Sequence, residues 1–174
     1  MPVPGLVVWI TGLPQAGKST FARALQARLR ERGAPSVVLD GDAVRGALVP
    51  APGYAPEARD DFYATLANLA ALVAGQGAIV IVPATAHAAR FRARARDRAD
   101  GRFLEVHVAA DQATARTRDG KGLYAAAAAG TMSHLPADAY EPPAAPDAVA
   151  SGGEDEAALD LVASRVLSLQ GPPT

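Results

Sequence analysis

The chain has 174 residues, with 17 basic and 18 acidic side chains and a formal net charge of -1. This length suits one compact domain, and we expect residues 1–174 to form it. The absence of cysteine excludes a disulfide scaffold, and the near-neutral charge disfavours a nucleic-acid-binding protein. No apolar run approaches the roughly 20 residues of a membrane span, and no basic leader segment is visible, so we expect a cytoplasmic protein.

Short apolar runs bounded by turn signals predict the strands of a parallel sheet. Leu6 to Ile10, Val37 to Leu39 and Ala78 to Val82 are continuous rather than alternating, which is typical of strands buried on both faces. The run from Phe103 to Val108 contains polar residues and is expected to have one more exposed face. A weaker fifth strand is predicted near residues 148–150.

Helical patterns alternate with these strands, which indicates an α/β domain with helices on both faces of the sheet. The first helix ends near Gly33, the third spans about residues 88–99, and a short fourth spans about residues 112–118. Three helices show an apolar stripe, formed by Phe21, Leu25 and Leu29 in the first, by Phe62, Leu66, Leu69 and Val73 in the second, and by Leu159, Val162, Val166 and Leu169 in the last.

One long segment, about residues 119–147, does not fit this alternation. It contains a run of alanines followed by several prolines. A segment of this length without sheet elements is more often a functional lid than a passive connector, so we interpret it as a lid.

A glycine-rich motif lies directly between the first strand and the first helix. It reads Gly12, Leu13, Pro14, Gln15, Ala16, Gly17, Lys18 and Ser19, which matches G-x-x-x-x-G-K-[ST]. The backbone amides of such a loop hold phosphate oxygens, the lysine reaches the β- and γ-phosphates, and the serine hydroxyl ligates Mg²⁺. The alternative is a strand-to-helix turn without a ligand. The motif and its position favour a site for ATP and Mg²⁺.

Two carboxylates follow the second predicted strand, at Asp40 and Asp42. The carboxyl ends of parallel strands meet at one edge of a sheet, so both should face the crevice of the phosphate-binding loop. One carboxylate there can serve Mg²⁺ and another can accept the proton of an attacking hydroxyl. The alternative is a helix N-cap at Asp42.

At this point the sequence resembles the adenylylsulfate kinase family, whose members phosphorylate the 3′-hydroxyl of adenosine 5′-phosphosulfate (APS). The resemblance extends from about Gly5 to Ala150. It is carried by GLVVWITGLPQAGKST, LDGDAVRGAL, GYAPEARDD, GRFLEVHV, RDGKGLY and DAYEPPAAP. It implies a three-layer α/β P-loop fold with five parallel strands in the order 2-3-1-4-5, Mg-ATP as donor, and a homodimer.

The resemblance also implies roles for individual residues. Lys18, Asp42 and Lys121 would be catalytic, and Ser19 and Asp42 would serve the metal. The P-loop from Gly12 to Thr20, together with Arg118, would bind ATP. The acceptor would be bound by Asp40, Arg45, Tyr54, Arg59 and Phe62, and by the lid residues Lys121, Gly122, Leu123 and Tyr124.

The departures from the family pattern are concentrated at the acceptor side. Ala43 stands where the family commonly has asparagine, and Phe62 stands where a polar acceptor ligand is expected. Ala84 to His87 replace a Phe-Ile-Ser-Pro segment. The alanine run from Ala125 to Ala129 replaces lid cations, and Leu135 replaces a stacking aromatic residue. The intact donor side predicts an ATP-dependent kinase, and the resemblance implies APS as its acceptor. The alternatives are a kinase for another small hydroxyl-bearing acceptor and a nucleotide-binding module with low turnover.

Two further features are ambiguous in the sequence. Arginine occupies every second position from Arg90 to Arg98, five in all, which usually indicates a solvated helix. The alternative is that Arg90 or Arg92 binds an anionic acceptor. His87 falls at the end of the third strand and is the histidine we expect nearest to the substrate.

Overall fold

A parallel sheet of five strands forms the centre of the computed structural model, which describes residues 3–110 and 139–171. The strand order is β2-β3-β1-β4-β5, and every pairing is parallel. This order confirms the one implied by the resemblance. The strands are β1 (Leu6–Thr11), β2 (Ser36–Val38), β3 (Ile79–Pro83), β4 (Phe103–Val108) and β5 (Ala148–Ala150).

Five helices connect or flank these strands within the described residues. They are α1 (Lys18–Glu31), α2 (Gly41–Ala47), α3 (Pro56–Ala74), α4 (Ala89–Arg98) and α5 (Glu156–Gln170). The seven-residue α2 entered the sequence analysis only through the alternative of a helix N-cap at Asp42, because it is too short to show a periodic apolar stripe. The predicted helix at residues 112–118 lies outside the described residues. None of the described helices has the length and apolar content to span a membrane.

The central strand β1 divides the interior into two cores. Leu6, Val8 and Ile10 face the core that contains α1 and α5, whereas Val7 and Trp9 face the core that contains α3 and α4. Because successive side chains of a strand point to opposite faces, a fully apolar strand fills both cores. All six residues of β1 and all five of β3 are buried, as predicted.

The prediction of two buried faces is wrong for β2. This strand lies at the edge of the sheet, and Val37 is 41% exposed. An edge strand has a neighbour on one side only, so short apolar runs do not distinguish it from an interior strand. The fifth strand was the weakest prediction, yet it forms the other edge by pairing with β4.

The predicted apolar stripes are correct in α1 and partly wrong in α3 and α5. Leu69 and Val73 of α3 are only half-buried, and Leu169 of α5 is 45% exposed. In α3 the helix turns its alanines inward instead, with Ala67 and Ala70 buried. Alanine lets a helix approach the sheet closely, so size and hydrophobicity alone misplace the buried face.

Candidate active site

The phosphate-binding loop joins the carboxyl end of β1 to the first turn of α1. Gly17 precedes α1 with a φ of 105°, and a Cβ atom there would lie 2.7 Å from the backbone nitrogen of Gly153. Both the positive φ and this close approach require glycine. The N-terminus of α1 therefore meets the loop with backbone amides and the positive end of the helix dipole, as phosphate binding needs.

The lysine of this loop bends back over the loop itself. The Lys18 ammonium group donates to the carbonyl oxygens of Gly12 and Leu13 at 3.0 and 2.8 Å. Gln15, where such loops often carry a small residue, has a φ of 63° and also lines the cavity described below. The two Lys18 hydrogen bonds hold a compact positive charge beside the turn, where phosphate oxygens would be bound.

The serine of the loop is paired with the first of the two predicted carboxylates. The Ser19 hydroxyl donates to one oxygen of Asp40 at 2.7 Å. The other oxygen of Asp40 accepts from the amides of Asp42 and Ala43, at 3.0 and 3.3 Å, and thereby caps α2. The N-cap of α2 is thus Asp40, not Asp42, and Asp42 lies in the first turn with Arg45 one turn further along.

Oxygen donors of this kind suit Mg²⁺, which binds one or two protein oxygens and completes its shell with water and phosphate. The Ser19–Asp40 pair supplies a hydroxyl and a carboxylate beside the loop. The described residues hold no group of three or more potential metal-ligating His, Cys, Asp or Glu side chains that could hold a metal ion alone. The side chains therefore fit a magnesium ion that arrives with a nucleotide.

The predicted acceptor residues meet at the other end of the cleft. The Arg45 guanidinium donates to the carbonyl oxygens of Pro52 and Gly53, at 3.2 and 2.8 Å. Its central carbon lies 4.6 Å from the ring centre of Tyr54 and 3.9 Å from that of Phe62. The Arg59 guanidinium lies 6.0 Å from the Tyr54 ring. The structure thus gathers two guanidinium groups around two aromatic rings.

A single cavity of about 1510 Å³ joins the two ends of the cleft. It exceeds the roughly 300–1,000 Å³ of a typical pocket for one small ligand, so two ligands can lie side by side. Among the predicted residues, the cavity is lined by Pro14, Gln15, Gly17, Lys18, Ser19, Thr20, Asp40, Asp42, Arg45, Tyr54, Arg59 and Phe62. Of the remaining predicted P-loop residues, Gly12 and Leu13 hold Lys18 through their carbonyls, and Ala16 is buried in the core.

The loop after β3 forms one wall of this cavity and is held in a strained conformation. Ala86 has a φ of 42°, its amide donates to the Tyr63 hydroxyl at 3.0 Å, and the Thr85 carbonyl accepts from the Thr11 hydroxyl at 2.6 Å. A left-handed alanine is kept only where its surroundings fix it. Ala84 and Thr85 line the cavity, so these bonds set the shape of its wall.

Arg92 anchors the same loop from behind and does not line the cavity. This arginine is 3% exposed, and its guanidinium donates to a carboxylate oxygen of Glu105 at 2.8 Å and to the carbonyl oxygens of Ala86 and Glu141, each at 2.5 Å. Arg90 is exposed and pairs with Asp60. The structure therefore contradicts both sequence readings for Arg92: it is neither solvated nor an acceptor ligand.

His87 also lies away from the cavity. Its ring packs edge-on against Tyr63 and Phe91, with centres 6.3 and 5.3 Å apart. Burial, reinforced by the charge of Arg59, lowers the pKa of His87, so the imidazole is neutral near pH 7. The loop directs Ala84 and Thr85, not His87, to the cavity. That His87 is the histidine nearest to the substrate stays a prediction.

Burial shifts the pKa of two residues on α3. It raises the pKa of the Tyr63 hydroxyl, so this phenol stays protonated while it accepts from Ala86. Burial also lowers the pKa of Arg59, and the nearby positive charge of Arg45 acts in the same direction. A cationic pair this close favours the arrival of an anion between or beside the two guanidinium groups.

Several site residues escaped the sequence analysis. Thr11 is fully buried, and its hydroxyl also lies 3.0 Å from that of Tyr140, at the end of the predicted lid. The loop of residues 151–155 lines the donor end of the cavity, where Gly153 packs against Thr20. The paired Gly152 and Gly153 after a strand were the available signal, because adjacent glycines often mark a close backbone approach.

The predicted lid residues Arg118, Lys121, Gly122, Leu123 and Tyr124 lie outside the described residues, as do Ala125 to Ala129 and Leu135. Their assignments stay predictions. The described chain resumes at residue 139, and the amide of Glu141 donates to the His87 carbonyl at 2.8 Å. The C-terminal part of the predicted lid is thus attached to the loop after β3.

The phosphate-binding loop at the end of β1, and the two-ended cavity beside it, define a P-loop kinase. The sequence profile of adenylylsulphate kinase matches residues 4–151, which is most of the chain. The chain therefore belongs to the adenylylsulphate kinase family.

Relatives with this description are similar along most of their length. An adenylyl-sulfate kinase of Paraburkholderia xenovorans is 42% identical over 147 residues, which cover 83% of this chain and 82% of the relative. One of Chloroflexus aurantiacus is 44% identical over 145 residues, covering 82% and 77%. The structure of the Mycobacterium tuberculosis APS kinase CysC in complex with AMPPNP and APS matches this chain with a TM-score of 0.83 at 34% identity. The match covers 97% of this chain and 98% of the CysC chain.

Proposed function

We propose that the protein transfers the γ-phosphoryl group of ATP to the 3′-hydroxyl of APS. The observation that carries this function is the single cavity bordered by the P-loop at one end and by Arg45, Arg59 and Tyr54 at the other. One end suits a triphosphate and the other suits an anion attached to a ring. The similarity to an APS kinase that binds AMPPNP and APS supports the same pairing of ligands.

At the donor end, the loop amides and the α1 dipole bind the phosphates of ATP. Lys18 leaves its carbonyl partners for the β- and γ-phosphate oxygens, where its charge stabilises the transferring group. Arg118 and Lys121 of the predicted lid would add positive charge from above. Phosphoryl transfer needs little covalent chemistry from the protein, so positioning and charge supply most of the rate enhancement.

At the acceptor end, Arg45 and Arg59 bind the phosphosulfate and Tyr54 lies against the adenine. Asp42 lies three residues before Arg45 in α2, so the carboxylate and the guanidinium occupy neighbouring positions on one helix face. Asp42 accepts the proton of the 3′-hydroxyl, whose oxygen forms the new bond to phosphorus. The bond from phosphorus to the β,γ-bridging oxygen breaks, and ADP leaves with that electron pair.

Magnesium is part of this proposal, because Ser19 and Asp40 are the oxygen donors beside the P-loop. Asp42 is the further carboxylate that the sequence assigned to the metal. When bound, Mg²⁺ supplies charge neutralisation to the β- and γ-phosphates.

The same proposal includes a cytoplasmic homodimer made of one domain per chain. Use of ATP as donor supports the cytoplasm, and the family resemblance supports the dimer, although one relative is the hexameric APS kinase from Thiobacillus denitrificans. Light scattering on the purified protein gives the mass of the assembly. A mass of two chains supports the dimer, and any other mass contradicts it.

Steady-state turnover of ATP with APS tests the function. We expect ADP release that requires APS, and an Asp42→Asn variant whose kcat is lower by about 10²- to 10⁴-fold, the usual loss for a general base. Asp61→Asn is the matched control, because Asp61 is exposed and does not line the cavity. Absence of APS-dependent ADP release, or faster turnover with another alcohol, would overturn the proposed acceptor.

A further inference from the structure

The Arg45 guanidinium is enclosed by a bracket of three features, which are the Tyr54 ring, the Phe62 ring and the backbone carbonyls of Pro52 and Gly53. The two ring centres lie 4.6 and 3.9 Å from its central carbon. One terminal nitrogen, Nη1, donates to both carbonyl oxygens. The rings restrain the plane of the guanidinium, and the carbonyls restrain its rotation within that plane.

This bracket leaves part of the guanidinium available for a ligand. A guanidinium has five N–H donors, and the hydrogen bonds of Arg45 to Pro52 and Gly53 use only those of Nη1. Arg45 itself lines the cavity. The remaining donors on Nε and Nη2 are therefore the ones that can meet an anionic group of an acceptor.

The two rings of the bracket contribute differently. Tyr54 is 51% exposed, whereas Phe62 is 3% exposed and packs against Tyr63 with ring centres 5.3 Å apart. Cation–π attraction is stronger when the pair is shielded from water, and a ring fixed in a core cannot move away. Phe62 is thus the rigid one of the two rings.

We propose that Phe62 is a positioning residue that fixes Arg45 for acceptor binding through the face of its ring. This inference rests on the proposed function, since it takes the acceptor to be APS. A phenylalanine cannot form the hydrogen bond of the polar acceptor ligand that the family resemblance predicts at this position. It substitutes orientation of a neighbouring cation for direct contact, so the departure at Phe62 retains acceptor binding instead of abolishing it.

A purely structural role for Phe62 makes different predictions. A core residue whose loss only loosens the fold would affect ATP and APS alike. A residue that acts through Arg45 should change the KM for APS while leaving the KM for ATP unchanged. The two roles are separated by comparing Phe62→Leu with Phe91→Leu, because Phe91 is equally buried in the same core and lies away from the cavity.

We expect Phe62→Leu to raise the KM for APS by about five- to thirtyfold, the loss of one shielded cation–π contact. The KM for ATP should stay within about twofold of the wild-type value. Phe91→Leu should leave both constants near wild type at a comparable loss of thermal stability. If Phe62→Leu does not fold, Phe62→Met serves instead, because methionine and leucine have similar volumes.

Coupling to Arg45 provides a second criterion. In an Arg45→Lys background the stacking geometry of the guanidinium is already gone, so Phe62→Leu should have little further effect on the KM for APS. Additive effects of the two substitutions would overturn the inference, as would an equal rise in both KM values or no rise for APS.

A measurement without substrate separates this inference from the proposed function. The Nε–Hε resonance of Arg45 should carry a ring-current shift in the wild-type protein that Phe62→Leu removes and Phe91→Leu retains. If the wild-type enzyme fails to phosphorylate APS while this shift is present, the proposed function fails and the stacked arrangement stands. If APS is phosphorylated but the shift is absent, the function stands and the role of Phe62 is refuted.

Discussion

The Arg92→Met variant tests how the wall of the cavity is held in place. The Arg92 guanidinium binds Glu105 from β4 and the carbonyls of Ala86 and Glu141, so one side chain joins the loop after β3 to the end of the predicted lid. Methionine keeps most of the apolar stem and removes all of these bonds. We expect lower stability and a higher KM for APS, because the strained Ala86 loses one of its two restraints.

The expected loss of stability follows from the burial of the Arg92–Glu105 pair and from the contacts that Glu105 keeps. Arg92 is 3% exposed and the Glu105 side chain 12%, and removal of one partner from such a pair costs about 3–5 kcal/mol. Glu105 retains Arg96 at 3.5 Å, so the lower end, about 3 kcal/mol, applies. For a protein of this size that loss lowers Tm by about 6–12 °C.

Thermal and urea unfolding measure the loss, and a second substitution tests its cause. Adding Glu105→Gln to Arg92→Met removes the uncompensated charge and should restore about half of the lost stability. Arg98→Met, at an exposed position of the same helix, should change stability by no more than about 0.5 kcal/mol. Equal stabilities of the single and double variants, or a loss for Arg92→Met no greater than for Arg98→Met, would refute the reasoning.

Two further predictions concern the loop of residues 151–155. Gly153→Ala should raise the KM for ATP, because the new Cβ would lie 2.7 Å from the Cβ of Thr20. Gly46→Ala adds a Cβ beside Arg45 at the other end of the cavity, where it meets no neighbour, and should leave the KM for ATP unchanged. Asp155→Ala should lower Tm through the loss of the N-cap of α5. The pKa of Asp155 is lowered by hydrogen bonds from the amides of residues 151 and 158 and from the hydroxyl of residue 151. The stability that the Asp155 carboxylate contributes is therefore present above the ordinary carboxyl pKa of about 3.9, and it is lost as pH falls through the lower pKa of the folded state. The difference in Tm between wild type and Asp155→Ala should therefore shrink below about pH 4, and a constant difference across that range would contradict this account.

The central part of the fold was predictable because its signals are local. A fully apolar strand, a glycine-rich turn and an amphipathic helix follow one another along the chain, and each signal is complete within a few residues. Asp40 shows the limit of such local signals. The sequence located its carboxylate, but its pairing with Ser19 joins residues 21 positions apart and is visible only in the structure.

Arg92 and Phe62 show why side-chain roles were harder to predict than the fold. Five arginines alternate along one helix, and nothing local distinguishes the one that is buried. Arg92 is buried because Glu105 and the carbonyls of Ala86 and Glu141 surround it. Similarly, the sequence alone indicates only that a polar ligand is missing at Phe62. The structure shows the guanidinium of Arg45 against the Phe62 ring.

The position of the new phosphate group on the product tests the central claim most directly. After incubation of the enzyme with Mg²⁺, ATP and APS, a ¹H–³¹P correlation spectrum identifies the carbon that carries the transferred group. We expect a correlation between phosphorus and the ribose H3′ of APS, with one ADP formed for each product. A phosphate at any other position, or ATP consumption that leaves APS unchanged, would contradict it.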